Sequence, residues 1–152
     1  MTPCGSIWSP AWSNCHDLPA GENRLELNLP DVLTEVRAAF DRYERALNEN
    51  DVASLNELFW DSSRTIRYGI AEQLYGHAAI AAFRSARDPS TVRRELLRVE
   101  ISTFGQDFGT ASCEYRRVAS GRHGRQMQTW MRTPAGWRVI AAHVSMLPSD
   151  SA

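Results

Sequence analysis

The hydrophobic period of the chain changes once, from about 3.6 residues in the first half to two residues in the second. Residues 29–47 carry an apolar stripe at i+3 and i+4 spacing, formed by Leu33, Val36, Phe40, Tyr43 and Leu47. This spacing is typical of a helix with one buried face. From Val92 onward apolar and polar positions alternate, as they do in strands of a sheet with one buried face. The pattern therefore predicts helices first and antiparallel strands last.

Shorter elements lie between and within these halves. The pattern predicts a second helix after the capping residues Asn50 and Asp51, a β-hairpin over residues 64–76, and a third helix from Gly76 to about Arg87. Four longer strands follow, beginning near residues 92, 110, 126 and 137. The order α-α-β-β-α-β-β-β-β indicates an α+β fold in which three helices pack on a curved antiparallel sheet. A curved sheet wrapped around helices has a conical shape. It encloses a cavity between the long helix and the concave face of the sheet, where a small ligand would bind.

Residues 1–28 are rich in Pro, Ser, Gly and Asn and show no periodicity. We predict a flexible N-terminal extension over 1–28 and a single domain over 29–148. The extension lacks a basic segment followed by an apolar run, so it does not resemble a secretory signal peptide. A cytoplasmic location is therefore expected.

The amino-acid composition excludes several kinds of binding site and catalytic group. The net charge of −1 gives no indication of nucleic-acid or anionic-membrane binding. All 17 basic residues are Arg and none is Lys, which excludes Schiff-base lysines and a P-loop. The three cysteines are irregularly spaced, and no His or carboxylate motif has metal-ligand spacing, so we expect neither a metal nor a cofactor. Any cationic role must fall to Arg, whose rigid fork holds carboxylates bidentately.

The predicted cavity receives polar side chains from four elements. The first helix supplies Tyr43, the hairpin supplies Arg67, and the third helix supplies Arg84. The last strands supply Trp130 and His143. His143 alternates with apolar residues along its strand, a position that also suits an ordinary core histidine without a catalytic role. A buried guanidinium needs a counter-charge.

Two partners for Arg67 remain open at this stage, namely Glu72 of the same hairpin and an anionic ligand. We favour the ligand, which would lie opposite Tyr43. Tyr68, next to Arg67, faces the other side of the strand.

Six segments of the chain resemble the AtzH/HpxZ family of SnoaL-like, nuclear-transport-factor-2-like proteins. They are residues 43–51, 58–60, 65–72, 74–76, 80–84 and 137–145. The Arg-Tyr-Gly-x-x-Glu run and the Ala-Ala-His-x-Ser end are the most specific of these. The conical fold of that superfamily agrees with the element order predicted from periodicity.

The resemblance implies a function in the breakdown of nitrogenous compounds, such as cyanuric acid in s-triazine catabolism. It implies a metal-independent amidohydrolase that converts 1,3-dicarboxyurea to allophanate with loss of one carboxyl group. Tyr43 and Arg67 match the family's candidate catalytic pair. The substrate-binding residues are expected among Trp60, Tyr68, Glu72, Arg84, Trp130 and His143.

The resemblance also implies partners. An amidase-signature enzyme with its small accessory subunit is the expected functional partner, and a homodimer or homotetramer is the expected assembly. Two other functions stay open: a non-catalytic accessory or ligand-binding subunit of that amidase, and an isomerase or cyclase. The isomerase reading needs a cavity carboxylate as base, for which only Glu72 or Asp61 is available.

Overall fold

The computed structural model describes residues 25–148. Ten elements follow one another: helices α1 (Pro30–Glu49) and α2 (Val52–Glu57), strands β1 (Ile66–Tyr68) and β2 (Gln73–Tyr75), helix α3 (His77–Ala86), a short 3₁₀ turn (Pro89–Thr91), and strands β3 (Arg94–Phe104), β4 (Phe108–Arg117), β5 (His123–Thr133) and β6 (Gly136–Met146). The predicted α+β class and element order are confirmed. None of the described helices is long and apolar enough to cross a membrane.

The six strands form one sheet in the order β2-β1-β6-β5-β4-β3. All neighbours are antiparallel except β1 and β6, which run parallel. Short β1 therefore lies beside the last strand of the chain, which brings the hairpin residues to the sheet face that the helices cover. This pairing aligns Arg67 with Ala142.

The core lies between α1 and the concave face of the sheet. The apolar stripe predicted from the sequence is the buried face of α1, where Val36 and Phe40 are fully buried and Val32, Tyr43 and Leu47 nearly so. Asp51 caps α2 by accepting a hydrogen bond from the Ser54 backbone N–H. The interior face of the sheet contributes Tyr115, Trp130 and Val139, all fully buried.

The predicted extension lies mostly outside the described residues, since residues 1–24 are not among them. Of its last four residues, two bond to the end of β3: the Asn28 N–H donates to Thr103 O, and Glu26 O accepts from Gly105 N–H. Contacts with the sheet thus begin before Leu29, where the sequence predicts the domain to start.

A β-bulge in β6 changes which side chains face the core. Thr129 of β5 pairs with Ala141, but the next residue, Trp130, pairs with Val139, so Ile140 is an extra residue. A bulge reverses the alternation beyond it. Trp137 and Val139 are buried before the bulge, and Ala142 and Val144 after it.

Candidate active site

Tyr43 lies on the buried face of α1 and points toward β5. Its hydroxyl donates one long hydrogen bond, 3.5 Å, to the side-chain oxygen of Gln126. Its ring centroid lies 6.3 Å from that of Phe59. Tyr43 lies three residues after Phe40 and seven after Val36, so it shares their face of α1 and points inward with them. The phenol is held loosely and has hydrogen-bonding capacity left for a ligand.

Arg67 faces the interior from β1 and is paired within the hairpin. Its Nη1 lies 2.5 Å from Glu72 Oε1, and its guanidinium lies 5.1 Å from the centre of the Phe83 ring. The structure thus identifies Glu72 as a partner of Arg67, which was the less favoured of the two alternatives. The pair is partly exposed, so it forms the part of the site nearest to solvent.

The carboxylate of Glu72 is held by the turn as well as by Arg67. Burial alone would raise the pKa of Glu72, but the hydrogen bonds from Arg67 and from the Ala71 backbone outweigh it and lower the pKa below its ordinary value. The carboxylate also occupies the space beside Gly69, where an added Cβ would come within 1.7 Å of Glu72 Oε1. Gly69 is therefore required for the Arg67–Glu72 pair to form in this position.

Arg84 is a buried cation without a carboxylate partner among residues 25–148. Its Nη1 donates to the Leu55 carbonyl (2.8 Å) and to Asn56 Oδ1 (3.1 Å), and its guanidinium stacks 4.0 Å above the centre of the Phe59 ring. Burial lowers the pKa of Arg84 to about 10, although Tyr43 opposes the shift. The side chain thus stays charged at neutral pH at a cost to the folded protein.

A third guanidinium, that of Arg87, adds to the positive charge. Arg87 donates to Asn50 Oδ1 at 3.4 Å, while its buried Nε has no partner in the described chain. Burial lowers the pKa of Arg87, again opposed by Tyr43, and the charge of Arg67 lowers it further. Arg67 and Arg87 also lower the pKa of Arg84. The guanidinium groups of Arg67, Arg84 and Arg87 thus lie near enough to affect one another, and Tyr43 affects the latter two. Glu72 is the carboxylate paired with Arg67.

A buried ion pair next to Tyr43 was not anticipated from the sequence. Arg94, at the start of β3, binds Glu44 of α1 through two hydrogen bonds, of which Nε to Oε2 measures 3.1 Å. Burial would lower the pKa of Arg94, but the charge of Glu44 outweighs it and raises the pKa. Arg94 Nη1 also donates to Gln126 Oε1 at 3.0 Å, which fixes the orientation of that amide. The other amide atom of Gln126, Nε2, has no hydrogen-bond partner in the described chain and remains a free donor.

Strand β5 lines the floor of the site with three buried polar side chains. Gln126, Gln128 and Trp130 occupy alternate positions and each is at most 3% exposed. Gln126 Nε2, both amide atoms of Gln128, and Trp130 Nε1 lack hydrogen-bond partners within residues 25–148. Most buried polar atoms in proteins have a hydrogen-bond partner, so these four atoms are candidates for contact with a ligand.

Three predicted site residues do not reach this interior. His143 is exposed on the outer face of the sheet, so the prediction that it faces the cavity was wrong. The bulge at Ile140 reverses the alternation on which that prediction relied. Tyr68 also lies on the outer face, as predicted, with its ring 6.1 Å from that of His143. Trp60 borders a separate groove of about 510 Å³, together with His77 and Arg138.

The other predicted residues do lie inside. Tyr43 of α1, Arg84 of α3 and Trp130 of β5 are buried, and Arg67 and Glu72 of the hairpin are partly exposed. The sequence-based reasoning missed five residues: Glu44, Arg87, Arg94, Gln126 and Gln128. A usable signal existed only for the glutamines, which alternate with Trp130 and so share its face.

The outer face of the sheet carries a second groove, of about 390 Å³. Charged residues such as Arg98, Glu100 and Arg125 line it, and Arg98 pairs with Glu100 in solvent. Exposed pairs of this kind contribute little energy. Neither groove combines buried cations with unpaired polar atoms, so the interior is the better candidate for an active site.

Comparisons with known proteins agree with this architecture. The sequence profile of the AtzH-like family matches residues 25–150. No curated protein matches the chain. Among solved structures, a protein of unknown function from the DUF3225 family of Pectobacterium atrosepticum is 52% identical, with a TM-score of 0.78 over 80% of this chain and 95% of that one. A cystatin-like fold protein from Burkholderia xenovorans is 48% identical, with a TM-score of 0.78 over 83% and 99%.

A more distant structure shows the fold alone. It is an NTF2-like protein of unknown function from Pseudomonas putida, 17% identical, with a TM-score of 0.67 over 80% of this chain and 90% of that one. The predicted family resemblance and the predicted conical fold are both confirmed.

Proposed function

Since the chain belongs to the AtzH-like family, we propose that it removes one carboxyl group from 1,3-dicarboxyurea and releases allophanate. One observation carries the proposal: Arg84 is buried without a carboxylate partner in the described chain, in the same interior as Arg67, Arg87 and Tyr43. This interior favours a ligand with more than one negative charge.

The charge balance of the site fits a dianion. Three guanidinium groups share the space, and Glu72 neutralises one of them. 1,3-Dicarboxyurea is small and planar and carries a carboxylate at each end. A charge-assisted hydrogen bond contributes about 1.5–3 kcal/mol. Two such contacts would offset part of the cost of burying Arg84.

In this proposal Tyr43 donates the proton that the reaction needs. The N–C bond to one carboxyl group breaks, the electron pair stays on nitrogen, and carbon dioxide leaves. The nitrogen takes the proton of the Tyr43 hydroxyl and becomes the terminal NH₂ of allophanate, and the phenolate regains a proton from water. General acid assistance of this kind typically contributes about 10²–10⁴-fold in rate. In this proposal Arg67 binds one carboxylate of the substrate and thereby fixes the orientation of the planar molecule.

The test is incubation of the purified chain, without any amidase, with 1,3-dicarboxyurea. We expect allophanate and inorganic carbon in equal amounts, at a rate well above the spontaneous one. Membrane-inlet mass spectrometry without carbonic anhydrase separates decarboxylation, which releases carbon dioxide first, from hydrolysis, which releases bicarbonate.

Binding without turnover would contradict the proposal and support the alternative of a ligand-binding or accessory subunit. Adding the amidase and its small subunit then tests that alternative, since an accessory protein should change the rate of its partner.

A further inference from the structure

Gln128 is the buried side chain with the largest unmet hydrogen-bonding capacity in the described chain. It is 2% exposed, and neither Nε2 nor Oε1 has a partner. A buried amide without partners destabilises a fold by about 1–3 kcal/mol per group. A leucine or methionine would fill the same position without this cost. A ligand that supplies both a donor and an acceptor would account for the amide.

The register of the sheet places Gln128 in line with Arg67. Gln128 pairs with Ala142 of β6, and Ala142 pairs with Arg67 of β1. On the other side Gln128 pairs with Ala111 of β4. Neighbouring strands lie about 4.8 Å apart, so roughly 10 Å separates the backbones of Gln128 and Arg67. The two alanines leave room beside the amide, and a molecule with five atoms in its chain can span the distance between the two side chains.

The neighbouring positions on β5 supply donors only. Arg94 holds the oxygen of Gln126, so Gln126 presents Nε2. Trp130 presents Nε1, and an indole nitrogen cannot accept a hydrogen bond. Gln128 Oε1 is thus the acceptor on this floor that remains without a donor. A ligand made only of carboxylates cannot satisfy it, because carboxylates have no donor at neutral pH.

We propose that Gln128 recognises the N-carboxyl group that the substrate retains, by accepting from its N–H and donating to its carboxylate oxygen. In a planar N-carboxyl group the N–H and one oxygen lie side by side, and they match the two atoms of a primary amide. This inference rests on the proposed function and names the specificity residue of the same site. It implies that allophanate, which keeps this group, binds to the site as well.

Two ligands that differ at one atom test the proposal by binding alone. Malonamate is allophanate with CH₂ in place of the N–H that bears the carboxyl group. Isothermal titration with the full chain should show allophanate binding at least tenfold more tightly than malonamate. The Gln128→Met variant should bind both ligands equally and weakly, and should be at least as stable to urea without ligand, since it removes an unpaired amide.

Gln128→Glu serves as the second variant. It keeps one acceptor oxygen but replaces the donor by a negative charge, so both ligands should bind more weakly than to the original protein. Equal affinities for allophanate and malonamate in the original protein, or a preference that survives in Gln128→Met, would overturn the proposal. These results do not depend on turnover. A preference for allophanate in a protein without turnover would leave this inference standing while the proposed reaction fails.

Discussion

At the scale of single residues, the two buried arginines Arg84 and Arg94 differ in whether a carboxylate of the described chain faces them. Arg94 binds Glu44, whereas Arg84 has only a carbonyl, an amide and the Phe59 ring. We therefore expect the two arginines to have different roles. Arg94 pairs with Glu44 and orients Gln126, whereas Arg84 is the arginine that we propose to contact an anion.

The substitution Arg84→Met should lower ligand affinity more than stability. Methionine keeps the contact with Phe59 and removes an unpaired charge, although it leaves the Leu55 carbonyl without a donor. We expect the affinity for glutarate, a stable dianion of the same length as dicarboxyurea, to fall by about 10–100-fold, since a charge-assisted contact is lost. The matched variant Arg94→Met should instead lower the free energy of unfolding by about 3–5 kcal/mol, because Glu44 is left buried and unpaired. Calorimetry and urea titration measure the two effects, and equal losses of stability would contradict the distinction.

The substitution Tyr43→Phe should remove turnover and leave the fold intact. The hydroxyl makes one long hydrogen bond in the described chain, so its loss should lower the free energy of unfolding by about 1 kcal/mol or less. We expect the rate of allophanate formation to fall at least 100-fold, the range for a lost general acid.

Tyr115→Phe is the control for Tyr43→Phe. Tyr115 is a fully buried tyrosine whose hydroxyl contacts Met146 Sδ at 3.4 Å. Its ring lies 4.4 Å from the guanidinium of Arg94, a contact that phenylalanine keeps. The control variant should keep nearly full activity. An active Tyr43→Phe variant would exclude Tyr43 as the proton donor.

At the scale of elements, the turn after β1 holds Glu72 against Arg67. The carboxylate thereby reduces the positive charge that Arg67 can offer to a ligand. Glu72 competes with an anionic ligand for Arg67. We expect Glu72→Gln to tighten glutarate binding by about tenfold, or roughly 1.4 kcal/mol. At pH 7 the original carboxylate is ionised, since its hydrogen bonds lower its pKa below the ordinary value, and the pair contributes stability that is lost as the pH falls through that lowered pKa. Glu57→Gln, which breaks the exposed pair with Arg42, is the matched control and should not change the affinity.

Gly69→Ala tests whether the turn acts through Glu72. The new Cβ would displace the carboxylate, which otherwise lies within 1.7 Å of that position. The variant should therefore bind glutarate more tightly, as Glu72→Gln does, and the double variant should show no further gain. Additive effects in the calorimetric titrations would mean that Gly69 acts by another route.

The elements also show which features the sequence can predict. The helices and the four long strands follow from apolar periodicity, and the burial of Tyr43 follows from helical spacing. The prediction continued the alternation of Trp137 and Val139 past Ala141, which puts His143 on the core side, whereas the bulge at Ile140 moves the buried positions to Ala142 and Val144. His143 was misplaced for that reason. The pairing of Arg94 with Glu44 joins residues 50 positions apart, and no local pattern predicts it.

At the scale of the whole molecule, association of copies into a dimer or tetramer remains a prediction from the family resemblance. The outer face of the sheet exposes the apolar side chain of Met127 beside His143. Light scattering over a range of protein concentrations gives the number of chains per particle, and a monomer at all concentrations would contradict the expectation.

The whole domain should be more stable with a dianion bound than without one, because Arg84 and Arg87 have no carboxylate partner in the described chain and several buried polar atoms there are unpaired. A ligand at 100 times its dissociation constant raises the free energy of unfolding by about 2.7 kcal/mol, which corresponds to a rise in Tm of roughly 5–10 °C for a domain of this size. Glutarate should produce such a rise in differential scanning calorimetry, and glutaramide, its uncharged analogue, should not. The rise should shrink in Arg84→Met, since the buried charge is gone. Equal shifts from the two ligands would show that shape, and not charge, governs binding, and the assignment of the three arginines to an anion site would then fail.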